Sequence, residues 1–390
     1  MLSEKKLALG IVGVGRMGLA HINNYLAGLM PSVEITAAAD TDPSRRTVLS
    51  EKLPGIPFFD TAQELYGSGL CSAVLICTPH YLHPPLAVSA FDNGIHVLSE
   101  KPAGVYSLQV KEAIAAAESS GLVYGVMYNQ RTNSVFKKVR ELVRSGEYGP
   151  LRRVSWIITD WFRSQAYYDM GQWRATWSGE GGGVLMNQCV HQLDLLQWIC
   201  GMPEKITATC REGKWHDIEV EDEVFMFLEY PGGATGTFIT STAEAPGTNR
   251  LEITLDRAKI TVNDASEIRL FELERGLSDC IVNEKDGFAR PACKCPDVIT
   301  DGTDPEHPAV VEAFAQAVLH GTELVAKGEE GINTVDLINA AYLSSWTNST
   351  VTVPVDPVLF KAELDKKIES SRRKTRVTES VDAFEIKKYK

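Results

Sequence analysis

Nowhere do the 390 residues offer eighteen consecutive apolar positions, so no stretch reads as a membrane-crossing helix. Nor is there an excess of basic charge. Lysines and arginines number 39 against 51 aspartates and glutamates, and the net charge of −12 argues against a nucleic-acid surface. The eight cysteines form no framework: Cys71, Cys77, Cys189 and Cys200 fall in apolar runs, as small core residues do. Cys293-Lys-Cys295 with Cys280 lacks the paired spacing and the matching histidine of a metal site, so no metal is expected. Scattered thiols of this kind suit a reduced, cytoplasmic protein. Lys5 and Lys6 ahead of Leu7–Val12 imitate the start of a secretion signal, but no small-residue cleavage site follows. Repeats and low-complexity linkers are missing as well, and a chain this long suits two domains better than one.

What is present begins at residue 7. Leu7–Val12 reads as a buried strand and runs into Gly13-Val-Gly15-Arg-Met-Gly18, with a helix expected through His21 and Tyr25 to Leu29. In this setting the first glycine allows a tight turn, the second admits a pyrophosphate to the backbone, and the third lets helix and strand pack closely. The phosphates would then sit at the positive end of the helix, beside Arg16 and Met17. A second strand, Val33–Ala39, closes on Asp40, 27 positions beyond Gly13. A carboxylate there accepts from ribose hydroxyls and repels a 2′-phosphate, which favours NAD over NADP; Arg45 and Arg46 nearby weaken that preference. The bland alternative for Asp40 is a turn residue or helix cap, which its neighbours make the lesser reading.

The alternation continues with a helix over 62–66 and a strand over 73–77 that ends in Thr78-Pro79-His80. A helix over 86–93, a strand over 95–98, a helix over 105–120 and a strand over 123–128 follow. Strands alternating with helices of this length indicate right-handed βαβ units and a parallel sheet covered on both faces. The fold class is therefore α/β, with a Rossmann dinucleotide-binding domain over 1–130. An α+β domain with an open, mostly antiparallel sheet is expected over 131–358, followed by a charged tail over 359–390. The C-terminal helices could return to pack on the first domain.

The strand over 95–98 delivers Ser99-Glu100-Lys101-Pro102. Proline bars helix at the preceding residue, so Lys101 is expected in an extended turn at the carboxyl end of a strand, where open α/β sheets bind ligands. By itself a Glu-Lys-Pro reads as a solvated loop. Taken in order, however, Gly13-x-Gly15-x-x-Gly18, Cys77-Thr-Pro79 with His83, and Glu100-Lys101-Pro102 resemble the Gfo/Idh/MocA family of nicotinamide-dependent oxidoreductases. The resemblance spans nearly the whole chain. It implies that Lys101 is a catalytic acid/base beside the nicotinamide. It also implies that Thr78, Pro79, His83, Glu100 and Asn129 border the cofactor.

Farther on, Trp161, Phe162, Tyr167, Tyr168, Trp173, Arg174 and Trp177 crowd together at a spacing that fits neither a helix stripe nor a strand face. They read either as core or subunit packing, or as a wall against which the apolar faces of sugar rings can lie. Tyr168, Trp173 and Arg174 are the candidate substrate or cofactor contacts. The run ends in Gly181-Gly-Gly183, glycines that would let a ligand approach the backbone, and a helix carrying Asn187, His191 and Asp194 on one face. The resemblance matches Asn187 and His191 to catalytic positions. Better-known polyol dehydrogenases of the family carry aspartate at the first of these, and asparagine cannot accept a proton.

Period-two segments over 205–210, 223–230, 235–242, 250–255, 259–262 and 267–273 then predict the open sheet, with Pro231-Gly232-Gly233 as a hairpin turn. In the family such a sheet forms the oligomer interface, so a homo-oligomer, dimer or tetramer, is implied. The expected activity is hydride transfer between a ring secondary alcohol of a sugar, glycoside or inositol and the nicotinamide of NAD. His191 would take the hydroxyl proton, Lys101 would hold the alkoxide and Asn187 would orient the hydroxyl. Two other readings stay open: a NAD-dependent glycosidase working through transient oxidation, and a non-catalytic NAD(P)-binding regulator.

Overall fold

The computed structural model describes residues 6–372 together with Lys374 and Val377. Small and β-branched residues pack its first sheet: β1 (Leu7–Val12), β2 (Val33–Ala39), β3 (Phe58–Phe59), β4 (Ala73–Ile76), β5 (His96–Ser99) and β6 (Tyr124–Val126). Their pairing is parallel throughout, in the order β3-β2-β1-β4-β5-β6. Parallel neighbours need crossovers. These are α1 (Arg16–Leu26), α2 (Ser44–Lys52), α3 (Ala62–Gly67), α4 (His83–Asp92) and α5 (Ser107–Ser120). The strand order reverses between β1 and β4, which opens a crevice at their carboxyl ends. α4 starts three residues before the apolar run suggests, because Pro84 sits in its first turn, where a missing N–H costs nothing.

After α6 (Ser134–Arg144) comes a mixed sheet of nine strands. It comprises β7 (Leu151–Ile158), β8 (Lys205–Glu212), β9 (Glu221–Glu229), β10 (Thr235–Ser241), β11 (Asn249–Leu255), β12 (Ala258–Asn263), β13 (Glu267–Leu273), β14 (Cys293–Lys294) and β15 (Val351–Thr352). Their order is β14-β13-β12-β11-β7-β10-β9-β8-β15. Among the described residues its pairs are antiparallel except β7 with β10. The remaining helices are α7 (Gln165–Tyr168), α8 (Val190–Cys200), α9 (Leu277–Asn283), α10 (Glu306–His320), α11 (Gly331–Thr347) and α12 (Pro357–Ser370).

α11 covers one face of this sheet, and its Ser344 and Ser345 hydroxyls accept the Ala208 and Cys210 amides of β8. The other face is open. There Phe225 and Phe227 of β9 stand 48% and 44% exposed, opposite Ile239 and Thr237 of β10. No helix among the described residues is long and apolar enough to cross a membrane.

Two late helices return to the first domain, α10 onto its sheet and α12 onto its helix α5. α10 buries Val311 and Phe314 in the cluster that holds Leu9 and Ile11, and its Glu312 accepts the Ser32 amide at 3.1 Å. α12 begins with an Asp356 cap on the Val358 and Leu359 amides and buries Phe360 and Leu364. The charged tail expected over 359–390, as a solvated helix or a disordered arm, opens as a helix anchored in the core: its apolar side chains recur at period four, with Phe360 stacked on Trp346 at 5.6 Å. Arg373, Thr375, Arg376 and residues 378–390 of that tail lie outside the described residues.

Phe360→Ala removes a fully buried ring and is expected to lower the unfolding free energy by about 3–5 kcal/mol, the usual range for such a truncation. Urea denaturation measures it. A loss below about 1 kcal/mol would show that α12 is peripheral to the fold.

Candidate active site

The glycine turn has the shape a dinucleotide requires. Gly13 has φ of 93°, and a Cβ there would lie 2.9 Å from the Cys77 carbonyl. A Cβ on Gly18 would lie 2.1 Å from the Gly13 oxygen, whereas one on Gly15 would meet nothing within 4 Å. The first and third glycines are thus demanded by packing. The second borders open space at the N-terminus of α1, next to an exposed Arg16 and a half-buried Met17. Asp40 braces the same turn, accepting the Val14 amide at 2.7 Å and the Asp42 amide at 2.9 Å. Arg46 is committed to Asp60 at 2.8 Å and to the Phe58 carbonyl, and Arg45 lies 3.4 Å from Asp42.

Two residues expected to touch the cofactor are tied elsewhere. The ring nitrogens of His83, itself 1% exposed, face the Pro102 carbonyl at 2.8 Å and the Thr78 carbonyl at 2.7 Å. His83 therefore staples the Thr78-Pro79 turn to the Lys101-Pro102 turn. Glu100 is equally buried and pairs with His21 of α1 at 2.8 Å, while its other oxygen accepts the Lys101 amide at 3.2 Å. Burial alone would raise its pKa, but the His21 hydrogen bond and the nearby His307 and Lys101 charges outweigh that and hold it at about 2. Among the described residues Thr78 Oγ1 and Asn129 Oδ1 are buried with no hydrogen-bond partner, as groups awaiting a polar ligand would be. The Asn129 amide nitrogen lies 3.4 Å from His307.

Lys101 crosses to the second half of the chain. Its Nζ donates to the Asn187 carbonyl at 2.9 Å and to Asn187 Oδ1 at 3.4 Å. Burial pushes its pKa below the ordinary lysine range. Glu100 and Glu180 pull it back up, whereas Arg174 and Arg163 depress it further. His191, on the first turn of α8, is 9% exposed and its Nδ1 has no partner. Burial, then Lys101 and His307, hold its pKa well below the imidazole norm.

Several neighbours differ from expectation. α8 begins at Val190, so Asn187 lies off the helix, in a turn closed by its own amide on the Gly183 carbonyl. Its Nδ2 is engaged by Glu180 and by Tyr167 Oη, so the amide braces Lys101 and is not free to orient a hydroxyl. Asp194 faces away and is held bidentate by Arg131 at 2.7 and 2.8 Å. Tyr168 is no substrate contact: it is 1% exposed and its hydroxyl donates to Thr242 at 2.8 Å. Its neighbour Tyr167 is half-buried, with its oxygen accepting from Arg174 at 2.6 Å and Gln188 at 3.0 Å. Arg174 stacks between the Tyr167 and Trp173 rings at 4.5 and 4.6 Å, and its Nε is buried without a partner. Trp177 belongs to the core, packed on Tyr342 and Trp346.

The three glycines serve the protein and not a ligand. A Cβ on Gly182 would lie 2.1 Å from Tyr342 Oη, and one on Gly183 would lie 2.0 Å from the Glu221 carbonyl. The buried Glu221 carboxylate accepts the Gly183 and Leu185 amides, each at 2.9 Å, and the Tyr342 hydroxyl at 2.8 Å. Burial nonetheless pushes it up to about 8. Sequence reasoning missed Glu180, Glu221, Tyr167 and His21. For Glu180 a signal existed: a charge set inside a glycine run has no reason to be there unless something binds it.

Comparison with known proteins gives two family matches. Residues 7–128 match the oxidoreductase family with the NAD-binding Rossmann fold, and residues 136–261 match the GFO/IDH/MocA C-terminal domain. The rhizopine catabolism protein MocA of Rhizobium meliloti is 31% identical over 50% of this chain and 58% of its own length. The chain thus spans little more than half of that relative. Trans-1,2-dihydrobenzene-1,2-diol dehydrogenase of Mus musculus is 29% identical over 65% of this chain and 74% of its own. Among solved structures, the WlbA dehydrogenase of Bordetella pertussis, in complex with NADH and UDP-GlcNAcA, superposes with a TM-score of 0.76 at 25% identity. It covers 90% of this chain and all of the other.

His307 is expected to make the fold acid-sensitive. Burial lowers His307 from the ordinary 6.5 to about 4, so as pH falls through that window the unfolded chain takes a proton that the folded chain refuses. The stability His307 contributes is complete above pH 6.5 and lost toward pH 4. In His307→Asn the loss of unfolding free energy between pH 7.5 and 5, read by urea titration, is expected to shrink by up to about 2 kcal/mol. An unchanged loss would assign the acid lability to other groups.

Proposed function

From the premise that this chain belongs to the GFO/IDH/MocA oxidoreductase family, we propose that it is a NAD-dependent dehydrogenase. Its substrate would be a ring secondary alcohol of a sugar, glycoside or cyclitol. The observation that carries this reading is the contact of Lys101, from the end of β5, with Asn187, and the nearness of His191, whose protonation the Lys101 charge disfavours. The residues present fit the cofactor: an open Gly15, the positive end of α1, and two unpartnered buried polar groups at Thr78 and Asn129. In this reading the cofactor is NAD, because a carboxylate at Asp40 would repel a 2′-phosphate and Arg46 is engaged by Asp60. When bound, the nicotinamide supplies the hydride acceptor.

The protein handles the proton. His191 stays neutral near pH 7 because burial disfavours its charged form, so it can receive the hydroxyl proton. Lys101 directs an ammonium hydrogen at the oxygen on which charge develops, and Asn187 keeps that ammonium from swinging away. Trp173 and the Tyr167 ring, with Arg174 between them, offer apolar faces edged by donors, which suits a ring carrying several hydroxyls. The open face with Phe225 and Phe227 would meet a second copy, and the eight free cysteines fit a cytoplasmic setting.

The test is NADH fluorescence on adding NAD with inositols, free sugars, sugar acids and glycosides. One substrate class should generate NADH, and Lys101→Ala should lower turnover by roughly 10²–10⁴ while NAD affinity holds, as for loss of one acid–base group. Near-normal turnover in that variant would sink the assignment. Silence across the panel with intact NAD binding would sink the dehydrogenase itself.

A further inference from the structure

The acceptors that hold the Lys101 ammonium are neutral, a backbone carbonyl and an amide oxygen of the same residue. An ammonium removed from water calls for a countercharge or a strongly polarised acceptor. The other end of that amide meets a carboxylate. Asn187 Nδ2 donates to Glu180 Oε1, and Glu180 is only 1% exposed. A carboxylate only accepts and an ammonium only donates, so a single orientation of the amide satisfies both: nitrogen toward Glu180, oxygen toward Lys101. Donation to an anion also makes the amide oxygen a better acceptor.

Glu180 is itself fixed from several sides. Its Oε2 takes the Ala175 amide at 2.5 Å, and its Oε1 lies 3.3 Å from Arg174 Nη1. Ala175 has φ of 57°, a left-handed conformation rare outside glycine, and its amide is the one that Glu180 Oε2 accepts. The Glu180 carbonyl meets His80 at 3.0 Å. A carboxylate held this firmly in a glycine-rich loop does more than fill space.

We propose that Glu180 is the positioning residue of the site: it sets the Asn187 amide and through it the direction of the Lys101 ammonium. A share of the countercharge of Lys101, beside that of Glu100, is thereby delivered across one amide. Its kinetic part rests on the dehydrogenase reading above.

The test exchanges the two groups. Glu180→Gln removes the charge and with it the rule that orients Asn187. Turnover is expected to fall by up to about 10²-fold, the effect of a misdirected catalytic group, while KM and NAD affinity move little. Asn187→Asp alone puts two carboxylates in contact and should lower both turnover and melting temperature. Glu180→Gln with Asn187→Asp restores one amide and one carboxylate in reversed order, so both quantities should recover toward the unaltered protein. Non-additivity of that kind is the signature of direct coupling. Near-normal turnover in Glu180→Gln, or a double variant no better than its worse parent, would overturn the proposal and leave the dehydrogenase standing. If no substrate of the panel turns over, the dehydrogenase reading fails by itself. The melting-temperature cycle then decides: recovery in the double variant supports the Glu180–Asn187 pairing, and additive losses overturn it.

Discussion

The contact on which the site depends is a single hydrogen bond between the two halves of the chain, from Lys101 Nζ to the Asn187 carbonyl. One partner is carried by a parallel strand end and the other by a turn braced on an antiparallel strand. Neither half has a complete site without the other. The buried carboxylates are arranged around this need. Glu100 holds the lysine's own turn through His21, Glu221 holds the glycine loop, and Glu180 holds the asparagine. Buried carboxyl groups cost a great deal unless their lone pairs are used, and here backbone amides and side-chain donors share them.

How much of this was legible in the sequence depended on the kind of information. The doubly wound sheet could be read because strands and helices alternate with the right lengths, and the glycine turn because each glycine in it has a separate steric reason. Lys101 could be read because proline and the strand end leave it one place to go. The open sheet followed from period-two alternation that survives on β8, β9 and β11.

What failed was finer than an element. Tyr167 and Tyr168 are chemically alike, and only the one-turn helix α7 decides which ring is buried and which faces Arg174. Asn187 and His191 have helical spacing, yet the helix starts between them, after a loop in which Gly181, Gly182 and Gly183 press onto Val105, Tyr342 and Glu221 in turn. Glu180 and Asn187 lie seven residues apart in a stretch that is neither helix nor strand, so no helical period is there to bring them together. Sequence patterns report which face of an element is apolar. They are silent on polar partners whose pairing exists only once the tertiary structure has closed.

The return of α10 onto the first sheet bears on how the chain is made. Val311 and Phe314 share a cluster with Leu9, Ile11 and Leu75, so that layer of the nucleotide-binding half lacks its cover until the last quarter of the polypeptide has left the ribosome. During synthesis the first six strands wait with an uncovered apolar face. The two halves are therefore separate in architecture but a single unit in biogenesis, and a chain stopped at the end of β6 would carry a hydrophobic scar where α10 belongs.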